Sequence, residues 1–429
     1  MLRAGHLLIL CALALLTLGV VMVNSAGMAV DPVGNSGATR AQGVTLESIL
    51  LGRSTVYMAL AVAVMVIAAF LPVRRLAAAG MARPYLPAFL TSAAFIAGSL
   101  ALVGVIALVY VPGIGKTVNG SSRWITIGRL ESIQPSEFAK WGLIALVAWF
   151  GARLALVNRG PLDNAKPAIT TFLGGLVPGM LGVGLVAAVI TLEDLGTGVL
   201  VAAASTLVLL AAGVRFWQLA FTAGPVFLAG VGAAILHSPY RVTRLVTFLD
   251  PYADPQGAGY HMVQSMSTVA GGGLFGRGLG HGLQKFGYLP EDTTDFLFAV
   301  VCEELGLAGA LFVCMLYMLM LWTLLRVARR ETEPLLRLFT LGVMATIGLQ
   351  ACINLVVVTG LGPTKGIALP LMSSGGTGWI LTAGALGLVA AIDRTSADAD
   401  AWLDPKPKAA AEIEPKPKPR RARTPALAT

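Results

Sequence analysis

Five carboxylates surround the start of one long apolar stretch of the chain. Glu291, Asp292 and Asp295 precede the stretch, and Glu303-Glu304 lie within it. A carboxylate is costly inside a bilayer and less so near its surface, so acids are uncommon at such a position. One interpretation is helix capping, because acids at a helix N-terminus satisfy free N–H groups. The other is chemical, because a positioned carboxylate can remove a proton from a hydroxyl group.

Two further pairs of ionisable residues lie at apolar runs. Glu137 and Lys140 are three residues apart and share one face of a helix. They either face a polar site or form a self-neutralised pair with Lys140 extended toward the membrane surface. Glu193-Asp194 indicates a polar cavity near the outer face, with a short exposed turn as the alternative.

The loops that follow these segments predict one polar face that combines cations with isolated carboxylates. Arginine and lysine bind pyrophosphate, and a carboxylate can activate an acceptor hydroxyl. This combination predicts glycosyl or phosphoryl transfer from a lipid pyrophosphate. A divalent cation, Mg²⁺ or Mn²⁺, would improve the leaving group further, although the sequence specifies no metal ligands. The predicted face consists of Arg123, Gln134, Glu137, Lys140, Asp194, Arg241, Arg244, Asp295 and Lys365.

Other motifs exclude several classes of protein. The glycines of 271–280 follow no strand and open no βαβ unit, so they predict tight turns and close approach of a ligand, and not a dinucleotide site. No Walker loop is present, which disfavours ATP-driven transport. Four cysteines and four histidines lack metal-ligand spacing. The Pro, Ser and Gly residues of 368–378 predict either a broken span that lines a cavity or close helix packing.

The composition predicts an all-α polytopic membrane protein. Of 429 residues, 56% are hydrophobic and 12% are charged, whereas soluble domains contain roughly 25% charged residues. The continuous apolar runs favour helices over a β-barrel. The net charge of +9 indicates anionic lipid or ligand contacts and no nucleic-acid domain. About ten spans of about 20 residues are predicted: 6–24, 54–72, 85–111, 136–157, 168–191, 195–213, 217–236, 296–325, 335–360 and 368–392.

The loop charges predict that both termini are cytoplasmic. Residues 1–395 would form the membrane domain, with a long extracytoplasmic loop at about 237–295 between helices 7 and 8. An amphipathic segment at about 260–270 lies within that loop. Residues 396–429 are rich in Pro, Lys and acids and predict a disordered cytoplasmic tail.

The order and spacing of the polar motifs over 10–392 resemble the SEDS family, which contains FtsW, RodA and SpoVE. The run from Lys285 to Glu291 and the run Pro363-Thr364-Lys365-Gly366 are more similar to the FtsW and SpoVE branch than to RodA. The blocks that carry the resemblance are Ser122-Arg123-Trp124, Gln134-Pro135-Ser136-Glu137-Phe138-Ala139-Lys140, Glu193-Asp194-Leu195-Gly196-Thr197, Tyr240-Arg241 through Gly259-Tyr260 with Gln264-Ser265, Leu289-Pro290-Glu291 to Thr294-Asp295-Phe296, Glu303-Glu304-Leu305-Gly306, and Pro363-Thr364-Lys365-Gly366 to Ser373-Ser374-Gly375-Gly376.

The resemblance implies a peptidoglycan glycosyltransferase with the SEDS fold in the bacterial inner membrane. It implies that the enzyme polymerises lipid II, with Asp295 as the base on the acceptor hydroxyl and undecaprenyl pyrophosphate as the leaving group. Arg123, Gln134, Glu137, Lys140 and Asp194 match other polar positions of the family. The implied partners are a class B penicillin-binding protein and other membrane proteins of the division or elongation machinery.

Three departures from the family pattern concern substrate positioning. Thr293 stands where the family has a histidine, Leu192-Glu193 replaces Gln-Pro, and Ser374 replaces a tyrosine.

Two other functions remain as alternatives. A lipid II flippase would need polar residues through the full membrane depth, and a non-catalytic divisome scaffold would not need the ionisable face.

Overall fold

The computed structural model describes residues 3–27, 52–82, 88–118, 121–127, 130–157, 176–283, 288–374 and 376–403. The helices of these segments are α1 (Ala4–Ala26), α2 (Arg53–Ala69), α3 (Val73–Met81), α4 (Ala88–Ala107), α5 (Pro135–Val157), α6 (Val177–Glu193), α7 (Leu195–Ala211), α8 (Phe216–Leu236), α9 (Pro239–Leu249), α10 (Tyr260–Gly271), α11 (Leu297–Arg330), α12 (Pro334–Val358) and α13 (Thr377–Leu403).

The helices confirm the predicted class of a multi-pass helical membrane protein, and each predicted span coincides with a helix. Among the described residues, five helices are long and apolar enough to cross a membrane: α1, α4 with the short turn after it, α5, α11 and α12. The pair α2 and α3, bent by 66°, makes a sixth if it counts as one span. The helices α6 and α7 are shorter, so the count of ten spans stays a prediction.

Two apolar cores hold the helices together. One core joins α1, α2, α11, α12 and α13, and the other joins α4, α5, α6 and α7. Helix α12 packs against members of both groups, since it contacts α11 on one side and α5 and α7 on the other. Apolar residues around most of its circumference explain this central position.

A small antiparallel sheet was not expected in an all-α chain. It consists of β1 (Gly115–Val118), β2 (Ser121–Ile127) and β3 (Leu130–Ile133), in the order β1-β2-β3. Lys116 pairs with Trp124, and Ile125 pairs with Ile133. The β-branched residues of this loop favour strands, and the sheet places β2 beside the start of α5.

Helix α11 is broken at Gly306, which has φ 67° and ψ −165°. The segment after α10 fills the break with backbone hydrogen bonds. Arg277 N and Gly278 N donate to the carbonyls of Glu303 and Glu304, and Leu307 N donates to the carbonyl of Gly273. The expected close approach of the 271–280 glycines is therefore made to the backbone of α11 and not to a ligand.

Glu303 and Glu304 are buried at this break and have structural partners. Ser25 Oγ and Gly282 N donate to Glu304, while Leu283 N donates to Glu303. The capping interpretation of the five acids is wrong for α11, because its N-cap is Phe296 and no side chain caps it.

The last predicted span, 368–392, is broken at its start, which agrees with the first of the two interpretations of its Pro, Ser and Gly residues. Residues 368–374 are not helical, and α13 begins only at Thr377. Pro370 removes a backbone donor, and Leu371 has a positive φ of 63°, both of which oppose a continuous helix. At the other end, α13 continues to Leu403, beyond the predicted boundary at 396. Residues 404–429 of the predicted tail lie outside the described residues, as do 28–51 of the first outer loop.

We expect Gly306→Ala to destabilise the protein. A Cβ at Gly306 would lie 2.3 Å from Gly276 N, and the positive φ is unfavourable for alanine. The free energy of unfolding should fall by about 2 kcal/mol or more, measured as a lower Tm in detergent. Gly104→Ala is the control, because a Cβ there meets nothing within 4 Å. Equal Tm values for the two variants would contradict this account of the break.

Candidate active site

A cavity of about 960 Å³ opens between the two apolar cores. Its walls come from β2, the start of α5, the turn between α6 and α7, the start of α9, the turn before α11 and the segment between α12 and α13. All nine residues that the sequence predicted for one polar face line this cavity: Arg123, Gln134, Glu137, Lys140, Asp194, Arg241, Arg244, Asp295 and Lys365.

Two of the arginines are held at the C-terminus of α6. Arg123 Nη2 donates to the carbonyl of Glu193. Arg241 Nη2 donates to the carbonyls of Thr191 and Leu192, at 3.1 and 3.2 Å. A cation is favourable at a helix C-terminus, where carbonyls lack partners and carry negative partial charge. Both guanidinium groups are thus positioned at the cavity wall by backbone carbonyls.

Asp194 occupies the single-residue turn between α6 and α7. Its Oδ1 accepts hydrogen bonds from Gly196 N and Thr197 N, and its Oδ2 accepts one from Thr197 Oγ1. The side chain therefore caps α7, as aspartate commonly does. The alternative of an exposed turn is wrong, because Asp194 is buried against the cavity.

Arg244 and Lys365 lie on adjoining walls. Arg244 Nη1 donates to the carbonyl of Thr364 at 3.2 Å, and its guanidinium lies 4.4 Å from the centre of the Tyr240 ring. Burial lowers the pKa of Lys365 to about 8, with three arginines adding to the effect and Asp194 opposing it. The four cations thus form one cluster around a single capping carboxylate.

Asp295 lines the same cavity beside the Lys365 end of this cluster, in the turn before α11. A methyl group on Gly366 would be 2.6 Å from Asp295 Oδ2, so the carboxylate touches the backbone beside Lys365. Burial raises the pKa of Asp295 to about 7, helped by Glu291 and Asp194 and opposed by Arg244 and Arg123. A carboxylate with this pKa can both accept and hold a proton near neutral pH.

Glu137 and Lys140 form a buried ion pair, with Lys140 Nζ 2.8 Å from the Glu137 carboxylate. Lys140 is 1% exposed and does not extend toward the membrane surface as that alternative expected. It also donates to Gln350 Oε1 at 3.2 Å. Gln134, one helical turn earlier, lines the cavity, and its backbone N–H faces Thr377 Oγ1 at 3.4 Å.

Three residues of this region are not among the nine of the predicted polar face, although Glu291 is one of the five carboxylates around the start of α11. Gln350 and Asn354 are polar side chains four residues apart on α12, a spacing that places them on one helix face. That spacing within an apolar helix was the available signal. Glu291 lines the cavity with a positive φ of 56° and accepts a hydrogen bond from Thr294 Oγ1 at 2.9 Å. Such strain in a residue other than glycine often marks a functional turn.

Thr293 stands where the resemblance implies a histidine, and a histidine of α10 contacts the residue after Asp295. The Thr293 carbonyl accepts a hydrogen bond from Ser374 N. His261 of α10 stacks on Phe296, the residue after Asp295, with 6.3 Å between ring centres. Burial and Arg244 lower the pKa of His261, and Glu291 opposes them.

The part of the chain that the structure describes holds no group of three or more His, Cys, Asp or Glu side chains that fits a metal ion. Asp194 already uses both carboxylate oxygens in capping. The cavity combines a cluster of arginine and lysine side chains with several carboxylates, of which Asp295 lies beside Gly366 and Lys365. This arrangement can bind a multiply charged phosphate group and remove a proton from a hydroxyl beside it.

The chain is similar to known proteins over nearly its full length. The FtsW/RodA/SpoVE family model, described as "Cell cycle protein", matches residues 5–398. Stage V sporulation protein E of Bacillus subtilis (strain 168) is 39% identical over 291 residues, which are 67% of this chain and 76% of that protein. The probable peptidoglycan glycosyltransferase FtsW of Coxiella burnetii is 35% identical over 395 residues, covering 90% of this chain and 95% of that protein.

Two solved structures have the same fold. One belongs to a peptidoglycan synthase complex that coordinates polymerization and crosslinking; it shares 27% identity with a TM-score of 0.65, covering 91% of this chain and 97% of that chain. The other is the rod shape determining protein RodA of Thermus thermophilus, at 26% identity and a TM-score of 0.56, covering 91% and 96%. The chain is therefore a member of the FtsW/RodA/SpoVE family, the SEDS family whose motifs its sequence carries.

Proposed function

We propose that the protein is a peptidoglycan glycosyltransferase that polymerises lipid II into glycan strands. The observation that carries the proposal is the cavity, where a carboxylate with a pKa of about 7 lies beside four clustered cations. The names of relatives such as FtsW of Coxiella burnetii support the same activity.

The proposed reaction uses the two sides of the cavity separately. The cationic cluster holds the donor pyrophosphate, with Arg244 and Lys365 nearest to the Asp295 side. Asp295 takes the proton of the acceptor hydroxyl as that oxygen forms a bond to the anomeric carbon of the donor. The bond from that carbon to the pyrophosphate oxygen breaks, and undecaprenyl pyrophosphate leaves with the bonding electrons. The fixed positive charges stabilise the charge that develops on the leaving group.

Gln134, Glu137 and Lys140 form the remaining wall of the proposed substrate site. Lys140 is neutralised by Glu137, so this wall offers hydrogen bonds more than net charge. A divalent cation would need substrate phosphate oxygens together with one or two carboxylates, a common arrangement for Mg²⁺. The described residues alone do not supply a cage for it.

We place the cavity on the extracytoplasmic side of the bacterial inner membrane, with both termini in the cytoplasm. Its lining comes from one end of the helices, while Arg326, Arg329 and Arg330 lie at the opposite end of α11. Excess arginine marks the cytoplasmic side of membrane proteins. A class B penicillin-binding protein is the proposed partner, supported by the similarity to a chain of a peptidoglycan synthase complex.

The other two functions explain less of the site. A flippase requires a polar path through the whole membrane, whereas the ionisable lining here belongs to turns and helix ends on one side. A scaffold does not require buried cations beside a carboxylate. Translocation of lipid II in liposomes that persists in Asp295→Asn, without polymerisation in the wild type, would favour the flippase.

We expect Asp295→Asn to reduce lipid II polymerisation by about 10²- to 10⁴-fold, because the amide cannot accept the hydroxyl proton. The measurement is glycan strand formation from lipid II by the purified protein with its partner. Asp292→Asn is the matched control, since Asp292 does not line the cavity. Equal polymerisation by Asp295→Asn and the wild type would refute the assignment of the base.

We expect the polymerisation rate to have a bell-shaped pH profile. The rate should rise with pH up to about 7, because Asp295 must lose its proton to act as a base. It should fall above about 8, because Lys365 then loses the charge that binds pyrophosphate.

Lys365→Arg tests the upper limb of this profile. Arginine stays charged at all relevant pH values, so the fall above pH 8 should disappear while the rise toward pH 7 remains. A profile with the same upper limb in Lys365→Arg would show that another group causes it.

A further inference from the structure

Asn354 of α12 connects two walls of the cavity through one side-chain amide. Its Nδ2 donates to the carbonyl of Asp295 at 2.7 Å and to the carbonyl of Ile367 at 2.7 Å. The amide nitrogen has two hydrogens, so both are used. The side chain is 2% exposed, which leaves it little freedom to adopt other contacts.

Gln350 makes a second connection one turn earlier on the same face of α12. Its Nε2 donates to the carbonyl of Ala368 at 2.8 Å, and its Oε1 accepts from Lys140 Nζ at 3.2 Å. Two amides four residues apart therefore bind the consecutive carbonyls of Ile367 and Ala368. Through Asn354, helix α12 connects Ile367 to Asp295. Through Gln350, it connects Ala368 to Lys140.

These carbonyls have few other ways to be satisfied. Asp295 precedes the N-cap of α11 and lies outside the hydrogen bonds of the helix. Ile367 and Ala368 lie in the non-helical segment between α12 and α13. A buried carbonyl without a donor is costly, so loss of the Asn354 amide would favour a shift of either wall.

Such a shift would change the distance between the reacting groups. Lys365 and Ile367 flank Gly366, whose backbone touches the Asp295 carboxylate. The Asn354 amide holds the carbonyl of Asp295 and that of Ile367 at the same nitrogen. The separation of Asp295 from Lys365 is thus set by a side chain that does not line the cavity.

We infer that Asn354 is a positioning residue that fixes Asp295 relative to the Lys365 segment, and that Gln350 fixes Lys140 relative to the same segment. The inference rests on the proposed function for its kinetic test. Asn354 does not line the cavity, whereas Gln350 lines it beside Lys140. Each acts through the carbonyls or the lysine that it holds.

The first test compares Asn354→Leu with Thr346→Val in the full-length protein with its partner. Leucine is similar in size to asparagine and donates no hydrogen bond. We expect kcat to fall on the order of 10²-fold, because a displacement of about 1 Å at reacting groups has that effect, with KM nearly unchanged. Thr346 is equally buried on α12 but bonds only to the carbonyl of Gly342 in its own helix, so Thr346→Val should keep the wild-type kcat.

Asn354→Asp provides a variant of the same shape. An ionised aspartate donates nothing, whereas a protonated one donates a single hydrogen bond. The ratio of its activity to that of the wild type at the same pH should therefore rise as the pH falls. A wild-type kcat in Asn354→Leu, or a lower Tm with unchanged kcat per folded molecule, would overturn the inference.

A second measurement does not depend on turnover. Modification of each lysine by an amine-reactive reagent, followed by mass spectrometry, reports how firmly it is held. Asn354→Leu should speed modification of Lys365 and leave Lys140 unchanged, while Gln350→Leu should speed modification of Lys140. If the wild type does not polymerise lipid II, the proposed function fails and this measurement alone decides the inference. Unchanged rates in both variants would refute it.

Discussion

A non-helical segment inside a helical membrane bundle must find a hydrogen bond for every buried backbone group. The segment between α12 and α13 meets this requirement through side chains of its neighbours. Asn354 and Gln350 bind the carbonyls of Ile367 and Ala368, and Tyr317 OH donates to the carbonyl of Pro370. Because these carbonyls have hydrogen-bond donors, the non-helical segment can hold Lys365 and Gly366 beside Asp295. The geometry of the cavity therefore depends on this segment.

Three arginines of the cavity are positioned by backbone carbonyls. Arg123 and Arg241 donate to the C-terminal carbonyls of α6, and Arg244 donates to the carbonyl of Thr364. A carbonyl fixes the position of a guanidinium without cancelling its charge. Lys140, in contrast, is paired with the carboxylate of Glu137, so this pair has no net charge. The two kinds of contact divide the cavity into a charged wall and a polar wall.

The sequence predicted the helices and the members of the site better than it predicted how the site is held. Long apolar runs and polar residues near their ends are local signals, and all nine residues that they predicted for one face line the cavity. Contacts between distant segments are not visible in such patterns, which is why Asn354, the break at Gly306 and the backbone pairing of the 271–280 glycines were missed. The sheet has only a weak local signal, because Asn119-Gly120 is a pair typical of hairpin turns but the strands on either side have only four and seven residues.

The break in α11 also determines what kind of sequence change this region tolerates. The segment that fills the break contributes backbone N–H and C=O groups, while Leu274 and Phe275 within it are highly exposed. Side-chain identity at those two positions carries no part of the pairing. The pairing depends instead on the backbone conformation, because Gly276 and Gly306 approach each other too closely for a Cβ on either. Related sequences should therefore contain many residue types at positions 274 and 275 and only glycine at positions 276 and 306.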